Sequence, residues 1–110
     1  MSRTKYLLSI ITVALLAVAL IGCDTTAERE LKRAEKAINE AQQANAEEYA
    51  TEDYLKAEQY LVEAVELAQD NRIQEARQLA IKAKLSAEDG LRKAQERQRI
   101  MESEMDRLGR

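Results

Sequence analysis

From Leu31 onward, apolar residues return every three or four positions, and twice that rhythm slips out of phase. A spacing of three and four puts side chains on one face of a helix, because 3.6 residues make a turn. The first stripe is Leu31, Ala34, Ile38 and Ala41. Continued in phase it would reach 45, 48, 52 and 55. The next stripe is instead Tyr54, Ala57, Leu61, Ala64 and Ala68, widened by Val62 and Val65. One straight helix would then turn its apolar face into water, so the slip predicts a break between about 45 and 53. Extending 64 and 68 would reach 71, 75 and 78, yet the stripe resumes at Ile73, Ala76, Ala80, Ala83 and Ala87. A second break is therefore expected at residues 69–72.

Local chemistry supports helices over about 25–46, 51–69 and 72–108. The chain has no proline and is rich in Ala, Glu, Gln, Lys, Arg and Leu, all good helix formers. Thr25 with Glu28 has the spacing of a capping box. Thr51, followed by Glu52 and Asp53, is a candidate N-cap. Asn71 is another, and Asp70-Asn71 suits a turn. Glu28–Lys32, Glu88–Arg92 and Asp89–Lys93 have the favourable i,i+4 order. Short connections make neighbouring helices antiparallel, so the expected fold is all-α, an antiparallel three-helix bundle. The stripes are mostly alanine and predict a thin, closely packed core rather than a groove for a ligand helix. Tyr49, Tyr54 and Tyr60 are expected to close that core.

The third helix is too long for its partners. A hairpin about residues 70–71 puts Ala80 near Leu61 and Ala87 near Tyr54, and uses up the second helix by about Gly90. Residues 91–108 then overhang by roughly 27 Å, at 1.5 Å per residue. The overhang keeps an apolar stripe, Leu91, Ala94, Met101, Met105 and Leu108, with polar Gln98 where an apolar residue would complete the repeat. Mixed charges flank it, as along a coiled-coil seam. These six positions are the expected interaction surface.

The first 23 residues read as an export signal. Arg3 and Lys5 precede an apolar run from Tyr6 to Ile21, then small Gly22 and Cys23, the sole cysteine. The run is short for a membrane-spanning helix, which needs about 20 residues. Leu20-Ile21-Gly22-Cys23 resembles the lipobox of bacterial lipoproteins. That resemblance implies a signal peptide over 1–22, cleavage between Gly22 and Cys23, and a lipid-anchored helical domain over 23–110. It also implies a diacylglyceryl group on the Cys23 sulfur and an acyl chain on its new amino terminus. Two or more chains hold a protein firmly to a membrane. The expected location is the bacterial cell envelope, facing the periplasm. The outer membrane is favoured; Asp24, which resembles an inner-membrane retention signal, keeps the inner membrane as the alternative.

Catalytic chemistry is missing from the sequence. There is no histidine, so carboxylate–histidine metal sites, zinc sites and imidazole-activated nucleophiles lack their parts. Gly22, Gly90 and Gly109 are the only glycines, too scattered for a phosphate-binding loop. The formal net charge is −3; Arg3 and Lys5 contribute +2, leaving −5 for residues 23–110. An acidic body is unsuited to nucleic acid, whose affinity comes from neutralised phosphates. We therefore expect a protein that is not an enzyme and needs no cofactor beyond the lipid.

The stretch from Ala34 to Ala94 resembles a family of small bacterial helical lipoproteins known only as a domain of unknown function. The resemblance rests on an Ala-rich helix, Tyr49-Ala50 at the first turn, Asp70-Asn71 at the second, and Ala76, Ala80 and Ala83 after it. Members often place Gly or Pro at these turns; this chain has neither there. Some members add a domain that binds peptidoglycan, for which this chain has no room. The second and third helices also resemble one tetratricopeptide-type hairpin, with Ala64, Ala76 and Ala83 at its small positions. The resemblance implies a structural or protein–protein role at the membrane, with a second copy or another envelope protein as partner. Non-covalent binding to peptidoglycan and service as an accessory subunit of an envelope enzyme or transporter are the alternatives. Covalent tethering through a C-terminal lysine does not fit Leu108-Gly109-Arg110.

Overall fold

The computed structural model describes residues 27–109. They are all-α: α1 Glu28–Gln43, α2 Ala46–Tyr49, α3 Thr51–Gln69 and α4 Ile73–Leu108. The expectation of three helices is corrected to four. The first break is not a plain loop but a corner that contains the one-turn helix α2. Thr25 lies outside the described residues, as do Gly22 and Cys23.

Two asparagines make the turns. Asn45 and Asn71 have φ of 61° and 63°, the left-handed region that asparagine tolerates better than most residues. At the second turn the Asn71 N–H donates to Ala68 O at 3.1 Å and the Arg72 N–H to Leu67 O at 2.9 Å. This pair of bonds is a Schellman motif, with asparagine where glycine usually stands. At the first, the Asn45 N–H donates to Gln42 O at 3.0 Å, which is the inner of those two bonds. Asn71 therefore ends α3 instead of capping α4. Thr51 does not cap α3 either. Its hydroxyl donates back to Glu47 O at 2.8 Å, satisfying a carbonyl of α2, while Ala50, with φ of −142°, breaks the helix between them.

The core is a file of alanines. Ala34 and Ala41 of α1, Ala46 of α2, Ala57 and Ala64 of α3, and Ala76, Ala80, Ala83, Ala87 and Ala94 of α4 are all buried. Ile38 and Tyr54 are the large side chains among them. Leu31, Leu61, Val65, Ala68 and Ile73, expected in the stripes, are half-buried, whereas Val62 is exposed. Small side chains let the helices approach closely, at the cost of a thin apolar layer.

Ion pairs and hydrogen bonds fix the register. Glu30 of α1 meets Arg77 of α4 at 3.8 Å, and the α1 terminus meets Gln98. Asp53 of α3 holds Lys93 at 2.6 Å. Glu28–Lys32 forms at 3.1 Å as expected. The other two helical pairs do not dominate: Lys93 turns to Asp53, Arg92 meets Asp89 at 3.5 Å, and Glu88 meets Lys84 at 3.8 Å. A contact between helices wins for Lys93 because Asp53 is largely shielded from water, where an ion pair is less screened.

Candidate functional site

The free end of α4 carries the residues singled out for interaction, and the structure divides them. Leu91 is half-buried, Ala94 buried and Gln98 half-buried. These three belong to the packed body, which corrects the expected start of the overhang from 91 to about 99. The corner at residues 44–50 makes the difference. Ala46 and Ala50 join the same buried cluster as Ala94, and the Gly90 backbone packs close to Ala46, Asp53 and Tyr54. Seven residues between α1 and α3 thus cover about two more turns of α4.

Gln98 has a specific task. Its side-chain N–H donates to Ala44 O at 2.9 Å, satisfying a carbonyl just past the end of α1 that the helix cannot pair. That explains a polar residue at an apolar position of the repeat. Spacing could have flagged Gln98 as unusual but not named its partner, which lies 54 positions away.

Met101, Met105 and Leu108 lie beyond the corner and are exposed, Met105 by 72% and Leu108 by 87%. They continue into solvent the spacing of buried Ala87 and Ala94 and half-buried Gln98. Ile100 is also exposed but lies on a different face of α4, where it lines a shallow depression with Glu96, Arg99, Ser103, Glu104 and Arg107. Methionines adapt their shape readily and suit a contact surface.

Tyr54 sits where α3 begins and is buried. Burial, with its hydrogen bond to the Glu58 carboxylate and the nearby Glu58 and Glu47 charges, pushes its hydroxyl up to about 12. Tyr49 and Tyr60 are half-buried. Among the described residues no group of three or more acidic or cysteine side chains is placed to hold a metal ion. No helix among them is long and apolar enough to cross a membrane.

No curated protein and no solved structure matches this chain. A family model described as a domain of unknown function, DUF4398, matches residues 29–108. The match runs from the start of α1 to the end of α4, so the exposed end is part of the domain and not an appendage to it. On that match, covering most of its length, the chain belongs to the DUF4398 family.

Proposed function

We propose that this chain is a lipid-anchored protein of the bacterial cell envelope that acts by protein–protein contact and carries out no reaction of its own. In this reading α1, α3 and α4 form an antiparallel three-helix bundle with α2 as its corner. Cys23 carries the diacylglyceryl and acyl chains and fixes the start of α1 to the periplasmic face of a membrane. Glu30 meets Arg77 at one end of the body and Ala44 meets Gln98 at the other. The tip beyond Gln98 is then held away from the anchor.

The observation that carries the reading is the exposed Met101–Met105–Leu108 stripe, which follows the spacing of the buried alanines past the last residue that anything covers. An apolar stripe at helical spacing normally buries itself. Here its natural cover is another protein.

In-cell photo-crosslinking tests this. A probe residue at Met101 or Met105 should give a discrete adduct, and one at exposed Glu35 should not. Silence at both tip positions would sink the contact reading. Metabolic labelling with an alkyne fatty acid should mark the chain and fail for Cys23→Ser. An unlabelled parent chain would remove the anchor.

A further inference from the structure

A second apolar surface lies away from the tip, on the outer side of α3. Leu55 and Val62 are exposed by 53% and 58%, on the opposite side of α3 from buried Ala57 and Ala64. With Glu58 and Gln59 they form a diamond at positions i, i+3, i+4 and i+7, the shape of a hole that accepts a side chain from a crossing helix. Gln59, Val62, Glu63 and Glu66 form the next such hole, and all six residues line one shallow groove. Its rim is acidic, with three glutamates.

The same molecule carries a fitting ridge. Ile81 and Leu85 of α4 are exposed by 48% and 53%, one turn apart, on the opposite side of that helix from buried Ala80, Ala83 and Ala87. Lys82 and Lys84 flank them on either side, and exposed Glu88 and Asp89 follow one turn beyond Leu85. Lys84 reaches Glu88 only at 3.8 Å, an exposed pair that a stronger partner can displace. Both surfaces are open at once, and neither uses the tip.

We propose that the α3 groove is a docking site for a second copy of this chain, filled by that copy's Ile81 and Leu85, with Lys82 and Lys84 against the glutamate rim. The occupant follows from complementarity in both shape and charge. Two aliphatic knobs one turn apart match two consecutive holes, and Lys82 and Lys84 beside the knobs meet the acidic rim, with Glu88 and Asp89 one turn beyond it. The contact joins two different surfaces and is heterologous, so copies add head to tail unless the rotation closes a ring. Anchored side by side, such copies would form rows.

The test uses the full chain in cells, with p-benzoylphenylalanine in place of Val62. The expected products are multiples of the chain mass beginning at twice that mass, and the cross-linked peptide contains Ile81 and Leu85. Leu85→Glu in the probe-bearing chain alone should leave that chain's groove intact. Co-expressing it with an untagged Val62→Glu copy, whose ridge is intact, should give a mixed dimer that grows no further. Co-expressing it only with Leu85→Glu copies should abolish the adduct. Both substitutions are at exposed positions, so the helical circular dichroism and melting curve should match those of the parent chain. An adduct to another protein, no adduct, or an adduct that survives when every copy carries Leu85→Glu would overturn the proposal. Deleting residues 99–110 removes the tip contact and should leave this adduct in place, which separates the two proposals.

Discussion

Single residues decide the turns of this protein. Asn71 holds a backbone conformation that costs most residues about 1–2 kcal/mol. Asn71→Gly should keep or raise stability, whereas Asn71→Val should lose at least about 1 kcal/mol, read from thermal unfolding followed by circular dichroism. Equal melting of the two variants would contradict the Schellman account. Tyr54 gives a pH prediction. An unfolded tyrosine loses its proton near pH 10, by ordinary tyrosine behaviour, and Tyr54 in the folded chain is pushed up to about 12. The folded form therefore keeps a proton that the unfolded form has released. The stabilisation is complete below pH 10 and is lost as pH rises from 10 to 12. Over that window the parent chain should lose stability more steeply than Tyr54→Phe. Parallel pH profiles would show that Tyr54 is not coupled to folding.

At the scale of the element, the alanine file sets the tolerance of each helix. Ala83 is completely buried among close neighbours. Ala83→Leu should lose about 1–3 kcal/mol from overpacking, measured by urea denaturation. Gly90 behaves differently. A Cβ there would stand 3.5 Å from the Asp53 Cβ and 3.7 Å from the Ala46 Cβ, ordinary contact distances. Glycine inside a helix costs about 1 kcal/mol relative to alanine, so Gly90→Ala should stabilise by up to about that amount. A destabilised Gly90→Ala would mean that α4 and the corner approach more closely than these distances state. Most of the helices were legible from spacing alone: α3 matches the expected 51–69, and α4 begins one residue late. The slip in phase located the first break. It could not reveal that Ala46–Tyr49 coils into a turn of its own, because four residues carry too little periodicity to read.

For the whole molecule the question is where the packed body stops. Met101, Met105 and Leu108 touch little of it, so deleting residues 99–110 should shift the melting temperature by no more than a few degrees. Deleting from Gly90 onward removes buried Ala94, the Gln98 bond to Ala44 and the Lys93–Asp53 pair together. That chain should melt far lower and less cooperatively. Similar losses from both deletions would mean that the tip folds back onto the body.

The sequence by itself determined the helices and their inward faces. Both follow from backbone propensity and a 3.6-residue period, which act over neighbouring residues. Asn71 was already marked as a turn former by its chemistry, in place of the glycine or proline expected of relatives; the left-handed turn at Asn45 came to light only in the structure. The extent of the exposed tip was decided only in three dimensions. Whether Ala94 is covered depends on a corner some 45 positions earlier, and the purpose of Gln98 on a carbonyl 54 positions away. Such contacts arise from the paths of two helices through space. A one-dimensional pattern shows that a face is apolar, and only the packed chain shows what lies against it.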